Sequence, residues 1–160
     1  MHLHWHLQYL ICKKQPLKVL INLCFFDKIF ELVLIWYCPN NCNCLIYLPK
    51  TLEYCRRGSR EEAVMVANQI HSLICSTYGH TLVLFTSYTL MGSVYQILRD
   101  SLPFPMVEVW RHSQEEILRF KTMENGVLFA AGSCWEGVDF PGDMVSSLII
   151  VKLPFAVPDP

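Results

Sequence analysis

The chain has 160 residues, 13 basic against 14 acidic side chains, and 52% hydrophobic residues. That length suffices for one domain of ordinary size whose core folds without disulfides. A charge balance this near neutral excludes a strongly basic nucleic-acid tail and an acidic disordered one, and the composition is neither collagen-like nor low-complexity.

The averages conceal an internal break. Gly, Ala, Ser, Thr and Arg are all missing from residues 1–50, where ordinary composition predicts about three or four glycines alone. Segment 1–48 is instead rich in Leu, Ile, Phe, Trp, Tyr and Cys, and it reads as an irregular hydrophobic leader ahead of the folded domain. Its longest apolar stretch, Leu17 to Cys38, is interrupted by Lys18, Asp27, Lys28 and Glu31. A charge at the centre of a membrane helix costs about 2.5–3.5 kcal/mol, so a spanning helix is disfavoured and a membrane is not the expected partner. No small-residue cleavage site follows, which argues against a secretory signal. His2, His4 and His6 alternate and would share one face of a strand, as a metal site needs, but nothing in the sequence fixes that strand. Cys38, Cys42 and Cys44 are spaced C-x3-C-x-C, a poor match to zinc or iron–sulfur ligation. The eight cysteines therefore read as reduced thiols of a cytoplasmic protein, with no metal site expected.

From Pro49 onward the pattern is regular. Ser59-Arg60-Glu61-Glu62 is a capping box, opening a helix whose apolar face runs through Ala63, Val66, Ala67, Ile70, Leu73 and Ile74. Tyr78-Gly79-His80 ends it, with Gly79 suited to the left-handed position beyond the helix. Thr81 to Phe85 is a continuous apolar run of strand length, as in a parallel strand buried on both faces. A helix follows over Leu90 to Leu102, ended by Pro103 and Pro105, and then a short β-prone run from Met106 to Trp110. Ser113-Gln114-Glu115-Glu116 is a second capping box, preceding Ile117, Leu118 and Phe120. Gly126 to Ala131 and Ser147 to Leu153 are two further buried strands. This alternation predicts an α/β fold: a parallel sheet with helices on both faces, occupying residues 49–160.

Ligands of such sheets bind beyond the carboxyl ends of the strands. Two segments leave strands there. One is Thr86-Ser87-Tyr88; the other runs from Gly132 to Asp143 and holds three glycines, a tryptophan and three carboxylates. Glycines permit close backbone approach, while Glu136 and Asp139 offer acceptors for hydroxyls, amides or a guanidinium. The second segment reads as a binding loop.

The series L-V-L-F-T-S-Y (82–88), G-S-C-W-E-G-V-D-F-P-G (132–142) and I-I-V-K-L-P-F-A-V-P-D-P (149–160) resembles the DinG-type ATP-dependent DNA helicases, XPD-like members of helicase superfamily two. The resemblance spans roughly residues 45–160 and falls on the second RecA-like motor domain, here truncated. It implies that Thr86, Ser87 and Tyr88 belong to motif IV, which meets the phosphates of a translocating single strand. Gly132 to Gly142 corresponds to motif V, where Glu136, Gly137 and Asp139 would couple ATP to the nucleic-acid track. Trp135 would stack on a base or pack the loop, and Lys152 would face a phosphate or solvent.

The departures are equally informative. The chain has no G-x-x-x-x-G-K-[ST] and no D-E-A-H-like box, and it stops before the family's arginine-finger motif. The resemblance therefore implies 5′–3′ unwinding driven by ATP and Mg2+ in the complete enzyme, with single-stranded DNA and a first motor domain of the same polypeptide as partners. The chain alone is expected to be inactive, to bind neither cofactor, and to lack the iron–sulfur cluster, which belongs to the first motor domain. The alternative is a non-enzymatic α/β module that binds a nucleotide or a protein through the 132–142 loop.

Overall fold

The computed structural model describes residues 55–110, 114–135, 138–142 and 144–152, together with the segments 18–21, 34–37 and 43–47. Four strands lie in the regular part of the chain: β4 (Thr81–Phe85), β5 (Met106–Val109), β6 (Val127–Ala131) and β7 (Ser147–Ile150). They pair in parallel in the order β7-β4-β6-β5. Three helices accompany them: α1 (Arg60–Thr77), α2 (Tyr88–Leu98) and α3 (Gln114–Lys121). The expected parallel α/β sheet is present.

The sequence alone predicts no strand in segment 1–48, yet three short ones fall there: β1 (Lys18–Ile21), β2 (Leu34–Tyr37) and β3 (Asn43–Ile46). β1 pairs in parallel with β7 and extends the sheet to five strands, while β2 and β3 form a separate antiparallel ladder. The described parts of the apolar stretch 17–38 are thus strands, and no helix among the described residues is long and apolar enough to cross a membrane. His2, His4, His6, Cys38 and Cys42 lie outside the described residues.

Every residue of β4, β6 and β7 is buried because both sheet faces are covered. Successive side chains point to opposite faces, so each strand feeds two cores. Val83 and Phe85, Val127 and Phe129, and Ile149 pack with Ala63, Val66, Ala67, Ile70 and Ile74 of α1 and Leu90, Met91, Val94 and Leu98 of α2. Leu82, Leu84, Leu128, Ala130, Leu148 and Ile150 pack on the other face with Val107, Val109 and Phe120 of α3. The two crossovers explain the sides. β4→α2→β5 steps outward past β6, and β5→α3→β6 steps back. Opposite directions keep the same hand only if the helices take opposite faces.

Phe129 is the centre of the first core. Its ring stacks on Phe85 at 6.0 Å and meets Tyr95 edge-on at 5.7 Å. The interaction preference of aromatic quadrupoles favours both arrangements over a face-to-face sandwich.

The end of α1 differs in detail from the expected one. Tyr78, not Gly79, is the left-handed cap (φ 57°), and its amide donates to the Ile74 carbonyl. Gly79 is also left-handed (φ 78°), and its lack of a side chain has a second cause: a Cβ there would collide with the carbonyl of Asn125. The glycine thus lets the turn before β6 cross the turn before β4.

Phe129 is fully buried, so Phe129→Ala should lower unfolding stability by about 3–5 kcal/mol. The check is a urea titration, with the midpoint falling at unchanged slope.

Candidate nucleic-acid interface

β4 and β6 pair in register from Thr81↔Val127 to Phe85↔Ala131. Thr86 and Gly132 therefore leave the sheet side by side, and the two sequence-predicted segments share its carboxyl edge. Thr86 and Ser87 are exposed, and Tyr88 is half-buried as the first residue of α2. The Ser87 hydroxyl caps α2 by accepting from the Leu90 amide at 3.3 Å. Accepting that bond leaves its own proton to donate. Two hydroxyls thus stand beside the positive end of an α2 whose first turn carries no acidic residue.

Tyr88 ties the two segments together. Its hydroxyl donates to the Ala131 carbonyl at 3.3 Å, joining α2 to the end of β6. Gly132 follows with φ 64°, and a Cβ there would come within 2.5 Å of Tyr88 Oη. Glycine is required here by both the left-handed backbone and the tyrosine's closeness. The Tyr88 ring also stacks on Trp110, with centroids 5.6 Å apart and planes 16° from parallel. Trp110 stands just beyond β5 and is 46% exposed. The sequence placed Trp110 at the end of a strand without giving it a role. Only the strand order, which sets β5 next to β6, brings it to this edge.

The loop after β6 starts as a single turn of 3-10 helix, Gly132–Trp135. Cys134 is buried against the second core. Val138 and Phe140 pack on that same core, and Phe140 meets Phe120 edge-on at 5.6 Å with Lys121 Nζ 5.8 Å above its ring. Cys134, Val138 and Phe140 thus anchor the loop to the second core, with Asp139 exposed between the last two. The side chain of Trp135 and the residues Glu136 and Gly137 lie outside the described residues.

Lys152, expected in solvent or against a phosphate, is instead engaged within the chain. Its Nζ donates to Glu62 Oε1 at 2.5 Å, and the two side chains are only 20% and 7% exposed. Glu62 reaches back as the capping box predicts, passing the cap residue itself. Its Oε2 accepts from the Gly58 amide at 2.6 Å, while Ser59 Oγ accepts from the Glu62 amide at 3.2 Å as anticipated. Reaching back one residue further lets the carboxylate face Lys152, so α1's first turn is fastened to the strand exit of β7. Ser113, the cap expected for α3, lies outside the described residues. No cluster of three His, Cys, Asp or Glu side chains able to hold a metal occurs among the described residues.

The fold and its loaded carboxyl edge define a RecA-like α/β domain. The chain belongs to the helicase C-terminal domain family, which matches residues 70–160. It is 29% identical over 121 residues to the 3'-5' exonuclease DinG of Bacillus subtilis, covering 71% of this chain and 13% of that protein. It is 34% identical over 98 residues to the ATP-dependent DNA helicase YoaA of Escherichia coli, covering 61% of this chain and 15% of that protein. The ATP-dependent DNA helicase DinG of Photobacterium profundum is 38% identical over 86 residues, 49% of this chain and 12% of its own length. These likenesses identify the domain as DinG-type. The chain spans well under a fifth of the relatives it matches, and no solved structure matches it.

Burial raises the affinity of Glu62 for a proton, but the Lys152 and Gly58 hydrogen bonds outweigh it and hold the carboxyl below its ordinary 4.5. A lowered folded-state value means that Glu62 stabilises the fold above about pH 4.5, and that this contribution is lost as pH falls through the depressed value. Glu62→Gln should therefore cost about 1–3 kcal/mol at pH 7, with the gap from the unsubstituted chain closing on acidification. Paired urea titrations at pH 7 and pH 3.5 check both the cost and its sign.

Proposed function

We propose that this domain serves as part of the second motor domain of a cytoplasmic ATP-dependent DNA helicase, with its carboxyl edge carrying a single strand of DNA. In this reading Thr86, Ser87 and Tyr88 act as motif IV, and Gly132 to Gly142 act as motif V. The observation that supports it best is the in-register pairing of β4 with β6, which puts both segments at one edge. The Thr86 and Ser87 hydroxyls and the α2 N-terminus suit phosphate oxygens, which accept hydrogen bonds and favour the positive end of a helix. Asp139, exposed between Val138 and Phe140, suits a group across the cleft to a neighbouring motor domain. Glu136 and Gly137 are assigned to the same coupling role by family resemblance.

ATP and Mg2+ fit this chain poorly on its own. Its sequence has no phosphate-cradling glycine loop followed by Lys and Ser or Thr, and no acidic box. Their binding is assigned to a first motor domain carrying those motifs, which is the partner that the edge would face. The names of the relatives, helicase for some and exonuclease for others, are consistent with one DNA-handling domain serving enzymes of different output.

The test is binding of a fluorescent oligothymidylate by the chain carrying both Thr86→Ala and Ser87→Gly. Glycine retains most of the capping at position 87, so stability should change little. Loss of two hydroxyls facing charged oxygens should weaken binding by about 10-fold or more. Unchanged affinity would refute the motif IV assignment, and DNA-stimulated ATP hydrolysis by the chain alone would refute the division of labour between domains.

A further inference from the structure

We propose that Trp110, backed by Tyr88, is a stacking platform for one nucleobase of the bound strand; the inference rests on the reading of this edge as a single-strand track. Tryptophan is an expensive residue to leave in water, yet Trp110 is 46% exposed. It is nonetheless positioned. One ring face is taken by Tyr88 at 5.6 Å and 16°, so the indole and phenol are offset-stacked. The other constraint comes from α2: a Cβ on Gly92 would stand 3.4 Å from the indole Cζ2, an ordinary contact distance, so the ring's edge lies close against that helix. Tyr88 is itself fixed by its bond to the Ala131 carbonyl. An aromatic plane held on one side by a second ring and on its edge by a helix keeps its orientation when a base arrives, so little side-chain entropy is lost on stacking.

The surroundings select a nucleobase over another apolar occupant. Tyr88 is the residue directly after Thr86 and Ser87, so the platform lies beside the hydroxyls and helix terminus suited to phosphate. A flat apolar surface next to an anion-favouring edge matches the two faces of a nucleotide. Stacking tolerates any base, because every base has a π-face, so the platform adds affinity for single strands without sequence preference. A duplex, whose bases are already stacked on one another, gains nothing from it. Trp110 thus acts as a binding and positioning residue for an unpaired strand.

Fluorescence anisotropy with the full chain tests this, using two oligomers of equal length and charge: an oligothymidylate and a strand whose sugars carry no bases. The chain should prefer the oligothymidylate. Trp110→Ala should weaken that binding roughly 5- to 150-fold, leave the abasic strand unaffected, and so abolish the preference, while Trp110→Phe retains most of it. Oligothymidylate should also quench indole fluorescence in the unsubstituted chain and quench it less in Trp110→Phe, a comparison that decides the matter if Trp110→Ala melts early. Equal binding of both strands by the unsubstituted chain, or an undiminished preference in Trp110→Ala, would overturn the platform while leaving the DNA track intact. Failure of the unsubstituted chain to bind either strand would overturn the track and the platform together.

Discussion

The structure depends on one constraint above the others: β4 and β6 run parallel, adjacent and in register, each buried on both faces. Parallel strands cannot be joined by a tight turn, so the chain must leave and return through helices. That requirement gives α2 and α3 their opposite faces. It also delivers the ends of both strands to the same place, since residues that pair along two parallel strands exit together. Thr86 and Gly132 are neighbours because Phe85 and Ala131 are partners.

Small residues and polar contacts then refine what the strands have placed. Tyr88 bridges from α2 to the last carbonyl of β6, and Gly132 makes room for it. Phe140 and Val138 fasten the far side of the loop to the second core, through contacts with α3 that are independent of Tyr88. The loop is thus held to both layers of the domain. The Glu62–Lys152 pair does a comparable job at the other exit, joining α1 to the end of β7. An edge fixed at several points loses little freedom when it meets a ligand, which is the condition for useful affinity from a few hydroxyls and one aromatic ring.

Much of this was legible in the sequence. The apolar runs Thr81–Phe85 and Val127–Ala131 identify doubly buried strands because, Thr81 apart, no polar residue interrupts them. Ser59 announces α1 through its side-chain chemistry. The cap that Ser87 gives α2 is not read from the sequence, whose apolar spacing begins that helix at Leu90 and runs it to Leu102 rather than Tyr88–Leu98. Contacts between residues distant in the chain were not legible. Lys152 and Glu62 are 90 residues apart, and nothing local to either predicts a buried pair over a solvated lysine. Trp110 carries no local signal of its place either, since its neighbours depend on the strand order β6-β5. Gly79 was recognised as a turn residue, but the Asn125 carbonyl that it accommodates is a tertiary feature. Segment 1–48 hid β1 because Val19–Ile21 is a short piece of a longer apolar stretch, with no periodicity to separate strand from any other state.

Backbone hydrogen exchange, measured with and without a saturating single-stranded oligonucleotide, tests the shared edge most directly. Slowed exchange at the amides following Thr86 and at those of Gly132 to Trp135, appearing together, is the result this account predicts. Protection elsewhere on the domain with both segments unchanged would contradict it.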